Sequence, residues 1–126
     1  MSSKSSKFGW EWRADRDLDQ RAAVRLVSIK AESGGLLGIG RSPSLSGSLP
    51  DAQKVDAEVL AISAQGPMSR DEQIVFRIPK LELHGATIGN VVEIGVIGSN
   101  VVCLRQIPGD VQDASLDTWL AGAPCP

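Results

Sequence analysis

The stretch from Gln73 to Ile107, QIVFRIPKLELHGATIGNVVEIGVIGSNVVCLRQI, constrains the chain most, because it reads as three consecutive β-strands with little between them. Ile74, Phe76 and Ile78 recur at every second position, Val92, Ile94 and Val96 do so again, and Val101 to Ile107 follows across Gly98-Ser99-Asn100. That spacing is the period of a half-buried strand, and a three-residue link containing glycine joins a hairpin. The apolar phase then shifts from Ile78 to Leu81 and Leu83, which a straight strand cannot do without turning its apolar side outward. A bulge or bend at Pro79-Lys80 is therefore expected, and proline, lacking the ladder donor, belongs at an edge or a barrel corner.

The remaining segments extend this sheet. Ala22 to Ala31 (AAVRLVSIKA) predicts a strand with Val24 and Leu26 on one face and Val27 and Ile29 on the other, both faces at least partly covered. Gly34 to Gly40 (GGLLGIG) reads as a short glycine-bearing strand, and Ala57 to Ser63 as another. Leu116, Trp119 and Leu120 at i, i+3 and i+4 predict a short C-terminal helix with Ser115 as its N-cap, stopped by Gly122 and Pro124. The fold class expected is mainly β: a small single-domain barrel or packed antiparallel sheet with a short C-terminal helix. Residues 1–21 read as an N-terminal arm and charged connector, and residues 22–126 as the domain. The expected core is Val24, Leu26, Leu60, Ile62, Ile74, Phe76, Ile78, Val92, Ile94 and Val96.

Composition limits the partners. At 126 residues the chain suits one domain, and its net charge of −2, with acids and bases interspersed, supplies no basic field for nucleic acid. No apolar run approaches the roughly 20 residues of a membrane span, and Met1 to Lys7 (MSSKSSK) lacks the apolar core of a signal peptide. The expectation is a cytoplasmic protein, or one assembled into a virion, with no membrane contact. Cys103 and Cys125 form no CxxC pattern and read as a buried small hydrophobe and an exposed thiol.

Motifs that carry chemistry are not evident. Asp15, Asp17 and Asp19 have the spacing of a calcium loop's start, but Gln20 stands at the glycine position and Leu26 at that of the bidentate glutamate. Gly35, Gly38 and Gly40 are followed by Arg41-Ser42-Pro43 in place of a helix, so they do not cradle phosphate. His84, the chain's single histidine, reads as a turn residue beside Gly85. No catalytic, metal or cofactor residue is expected, and the protein reads as a non-enzyme. Phe8, Trp10 and Trp12 put three of the chain's five aromatic residues into five positions, and Arg41 to Asp56 forms a long Ser/Pro loop carrying Leu45 and Leu49. An aromatic arm and a long contact-making loop suit a subunit of a symmetric assembly, such as a virion head or tail decoration or a secretion-tube component. Phe8, Trp10, Trp12, Leu45 and Leu49 are its expected interface, with protein subunits as partners, copies of the same chain included.

Two family resemblances accompany this reading. Ile78-Pro79-Lys80, Gly85, Gly89-Asn90, Val92 to Ile94 and Val101 to Arg105 resemble the swapped-hairpin DNA-binding proteins of the AbrB and MazE type, over about residues 77–105. That resemblance implies a dimeric regulator with Arg77, Lys80 and Arg105 as its DNA-contacting residues. Arg21 and Arg25 (RAAVR), with Ser63 and Gly66 (ISAQG), are similar to the RxxxR and [DN]xSxxG signature of PilZ barrels, with Ala61 standing at the acidic or amide position. This second resemblance implies cyclic-dinucleotide binding through Arg21, Arg25 and Ser63.

Overall fold

The computed structural model describes residues 6–12, 17–31, 51–123 and 125. Six strands form in chain order: β1 (Ser6–Trp10), β2 (Gln20–Ala31), β3 (Ala52–Ile62), β4 (Gln73–Pro79), β5 (Val91–Ile97) and β6 (Asn100–Gln106). They close into a barrel with neighbours in the order β1-β4-β3-β2-β5-β6. The four ladders β2–β3, β3–β4, β2–β5 and β5–β6 are antiparallel, whereas β1 runs parallel to both β4 and β6. A turn of 3₁₀ helix, Lys80–Leu83, follows Pro79, and a second, Asp113–Ser115, leads into the short helix α1 (Leu116–Leu120). The mainly β barrel with one short C-terminal helix is thus observed. The bend expected at Pro79-Lys80 takes the form of that first 3₁₀ turn.

The expected division at residue 22 is corrected by β1. Ser6–Trp10 is a strand of the barrel, with Phe8 opposite Phe76 and buried beside it in the core. The segment Gly34 to Gly40, and with it Leu45 and Leu49, lies outside the described residues. The loop expected to end at Asp56 gives way at Ala52, where β3 already pairs with Pro79 of β4.

Two bulges account for the core residues that alternation misplaces. The β2–β3 register shifts between Ala23 and Val24, so that Ala23 faces Ala61 while Val24 faces Val59, leaving Leu60 as the extra residue. An extra residue reverses the facing of the strand beyond it. Val55, Ala57 and Val59 therefore fill the core, Ile62 packs partly against it, and Leu60 turns to the outer wall. A second shift between Leu26 and Ser28 leaves Val27 exposed and returns Ile29 to the core side, correcting its expected place beside Val27. The other expected core residues, including Ile74, Phe76, Ile78, Val92, Ile94 and Val96, are buried.

The outer wall of β2 and β3 is where the C-terminal helix sits. Ala23 and Ala61, opposite each other and both buried, present methyl groups where larger side chains would hold a helix away, and Leu116 and Leu120 pack there with Ile107. Ser115 precedes α1 but makes no side-chain capping bond. Packing on the alanine pair, not the cap, holds the helix. Phe76 is fully buried at the centre of the barrel, and Phe76→Ala should lower unfolding free energy by about 3–5 kcal/mol in a urea titration. A loss under about 1 kcal/mol would mean that the barrel interior is not packed around this ring.

Candidate functional site

Two surfaces gather the polar and aromatic side chains. The first lies on the outer wall of β2, β5 and β6, where alternation points Arg21, Glu93, Gly95, Cys103 and Arg105 away from the interior and register brings them side by side: Arg21 faces Gly95, Gly95 faces Cys103, and Glu93 faces Arg105. Glu93 is fully buried. Its carboxylate accepts from Arg21 Nε at 2.8 Å, Arg105 Nε at 2.9 Å, Trp119 Nε1 at 2.9 Å and the Cys125 backbone N–H at 3.2 Å. Four donors match the roughly four lone-pair sites of an ionised carboxylate. That saturation is what makes a buried charge tolerable.

The same arginines reach beyond Glu93 to the chain's end. Arg21 donates to the carbonyls of Gly122 at 2.9 Å and Ala123 at 3.1 Å, and Arg105 donates to Ala123 at 2.6 Å while stacking over the Trp119 ring, 5.0 Å from its centroid. A Cys103–Cys125 disulfide ties the same segment to β6, and this corrects the expected pair of free thiols. Gly95 makes room for it: a Cβ there would stand 2.9 Å from Cys103 Sγ and 2.6 Å from Leu18 Cδ1. The cysteines sit 22 residues apart with no spacing signature, so only the barrel register brings them together.

The second surface is the barrel rim at the end of β1. Trp10 is half-buried against the core, and Trp12 lies edge-on to it with centroids 5.4 Å apart and planes at 87°. Trp12 is 56% exposed. The Trp10 ring N–H is buried and finds no acceptor among the described residues, where an unmade bond costs about 1–3 kcal/mol. Glu11, between the two tryptophans, donates its backbone N–H to Val101 and accepts from the Asn100 side chain at 3.2 Å. The three aromatic positions thus divide: Phe8 belongs to the core, Trp10 to the lip and Trp12 to the surface.

The residues singled out by the two resemblances separate in space. Arg105 is committed to Glu93, whereas Arg77 lines a groove on the opposite side of β1 with Lys7 and Lys54, and Lys80 opens the exposed 3₁₀ turn. Arg21 and Ser63 do come together, the Arg21 N–H donating to Ser63 Oγ at 2.9 Å and the Ser63 N–H to the Arg21 carbonyl at 2.9 Å. Gly66 sits against Gln20, and Arg25 pairs with Asp113 at 3.6 Å. His84 is left-handed at φ 50° and closes the 3₁₀ turn, as a turn residue would. Asp19 accepts from the Gly98 N–H at 2.7 Å, pinning the β5–β6 turn. Among the described residues no group of three or more His, Cys, Asp or Glu side chains is arranged to hold a metal ion. No protein-family model, curated protein or solved structure matches this chain.

Sequence reasoning missed Glu93. Its signal is a lone acid in the apolar run Val91-Val92-Glu93-Ile94-Gly95, on the outer face that Trp119 of α1 reaches. Glu93→Ala, which strands two guanidinium groups, should cost about 3–5 kcal/mol in chemical denaturation. The exposed ion pair Arg70–Asp117, by contrast, should lose no more than about 1 kcal/mol on Arg70→Ala. Equal, small losses for both would show that Glu93 does not organise the C-terminal cover.

Proposed function

We propose that this protein is a non-enzymatic interaction subunit of a larger assembly, docking on a neighbouring protein through the tryptophan lip of its barrel. The observation that carries the reading is the pair Trp10–Trp12: one indole 56% exposed, braced edge-on against a second whose buried N–H lacks an acceptor among the described residues. Tryptophan is enriched at binding hot spots because it buries a large rigid surface at little entropic cost. A neighbour covering the lip gains that area and can offer a carbonyl to the Trp10 N–H. The base of the lip is fixed by Phe8 in the core, so the docking element is preorganised.

The Cys103–Cys125 bond supports work in a setting that keeps thiols oxidised, such as an extracellular space or an assembled particle, in preference to the cytoplasm. The saturation of Glu93 and the exposed turn position of His84 favour a structural over a catalytic use of these two residues.

One observation favours a second reading, a cyclic-dinucleotide barrel: Arg21 and Ser63 are hydrogen-bonded to each other, the Arg21 backbone N–H donating to Ser63 Oγ and the Ser63 N–H to the Arg21 carbonyl. In that reading the ligand must draw the Arg21 guanidinium away from Glu93 and from the carbonyls of Gly122 and Ala123. The two readings separate in one experiment. Trp12→Ala should leave far-ultraviolet dichroism and melting temperature unchanged while lowering the mass of the assembly seen by native mass spectrometry. Unchanged mass with micromolar binding of a cyclic dinucleotide, lost in Arg25→Ala, would replace the first reading by the second.

A further inference from the structure

The C-terminal segment is held to the barrel in different ways on the two sides of Leu120. Up to that residue α1 is seated by packing, with Leu116 and Leu120 buried against Ala23, Ala61 and Ile107 and no cysteine involved. Beyond it Ala121, Gly122 and Ala123 are exposed, and Cys125 is the one buried side chain among the described residues. This last stretch is fastened by the bond to Cys103 and by hydrogen bonds at its backbone. The Gly122 and Ala123 carbonyls accept from Arg21 and Arg105, and the Cys125 N–H donates to Glu93.

Glu93 does not depend on the stretch to the same degree. Arg21, Arg105 and Trp119, carried by β2, β6 and α1, supply three of the carboxylate's four donors, so it stays paired when the stretch lifts. The outer guanidinium N–H groups and the freed carbonyls then pass to water, an exchange of hydrogen bonds with a small net cost. The hydrogen bonds set where the stretch lies, and the covalent bond keeps it there. Both sulfurs are shielded, with Cys125 1% and Cys103 4% exposed. A reductant reaches them through local opening at the chain end, where one small buried side chain puts opening at the low end of a fold's range of local stabilities.

We propose that the Cys103–Cys125 bond is a redox latch: its reduction by a dithiol frees the stretch after α1 and uncovers part of the outer wall, while the barrel and α1 stay folded. One thiolate of the dithiol attacks a sulfur of the bond to give a mixed disulfide, and the second displaces the protein sulfur. The protein's S–S bond breaks and the dithiol closes to its own disulfide. The two electrons and two protons that it gives up leave Cys103 and Cys125 as thiols. In the oxidised chain Cys125 packs into a small apolar cluster with Ile97, Val102, Cys103 and Leu18, and this cluster is what its departure bares. Val102 follows Val101, the β6 partner of Trp10, so the bared surface adjoins the tryptophan lip. The latch stands whether or not the lip docks on a neighbour.

Treatment of the full chain with dithiothreitol, followed by iodoacetamide labelling and amide exchange, tests this. Both cysteines should be alkylated without denaturant, with far-ultraviolet dichroism unchanged. The Cys125 amide should exchange about tenfold faster or more in the reduced chain, whereas amides of the β3–β4 ladder keep their rates. Fluorescence of added anilinonaphthalene sulfonate should rise on reduction, and Cys125→Ser should show the faster segment exchange and the brighter dye with no reductant present. A Cys125 amide that keeps its rate after reduction overturns the proposal, because the hydrogen bonds alone would then hold the stretch. Loss of the sheet dichroism on reduction overturns it too, since the bond would be a staple of the whole fold. So does a bond that the dithiol reduces only after the chain is unfolded in urea.

Discussion

Closure by a five-residue strand is the constraint on which the rest depends. β4 and β6 would each present an open ladder edge if β1 did not lie between them, and an open edge in so small a sheet invites pairing with another chain. β1 meets both neighbours in parallel, through Ser6 to Phe8 against Ile74 to Phe76 and through Gly9 and Trp10 against Asn100 and Val101. This register has two consequences. It drops Phe8 onto Phe76, completing the core, and it places Trp10 at the last rung of the ladder and Trp12 beyond it at the rim. Gly9 leaves room for the Asn100 side chain, since a Cβ there would stand 2.8 Å from Asn100 Oδ1.

The barrel's second requirement is a cover for its outer wall at β2, β5 and β6. Here the chain combines small residues with one saturated charge. Ala23 and Ala61 seat the helix, Gly95 admits Leu18 and the disulfide, and Glu93 collects Arg21, Arg105, Trp119 and the Cys125 amide. A buried carboxylate contributes little net stability against an apolar replacement, yet removing any partner leaves a desolvated charge behind. Such a cluster fixes where the C-terminal segment lies. The disulfide acts on the same segment by restricting the unfolded chain, worth about 3 kcal/mol for loops of this order.

Much of the barrel is legible in the sequence because alternation and turn chemistry are local. Ile74-Phe76-Ile78, Val92-Ile94-Val96 and the Gly98-Ser99-Asn100 link each announce themselves within a few residues. The features that escape depend on register. The bulges at Leu60 and Val27 have no sequence signature, so parity read straight through them assigns Leu60 inward and Ile29 outward. β1 reads as an arm because its alternating Phe8, Trp10 and Trp12 stand between a Ser/Lys stretch and a charged connector, and nothing local shows which strands they join. Glu93 with its arginines, and Cys103 with Cys125, lie far apart in sequence and meet only once β2, β5 and β6 are aligned.

The proposed docking role depends on how these constraints partition the aromatic segment. A strand inserted in its own barrel keeps Phe8 in the core and leaves Trp12 exposed, whereas a strand exchanged between copies would commit the whole segment to the interface. The measurement that separates them is an isotope-filtered NOE spectrum of a refolded one-to-one mixture of labelled and unlabelled chains. The account predicts Phe8–Phe76 ring contacts within chains and none between them, with any contact between chains involving Trp12. Phe8–Phe76 contacts between labelled and unlabelled chains would contradict it, making β1 an exchanged strand and the barrel a product of assembly.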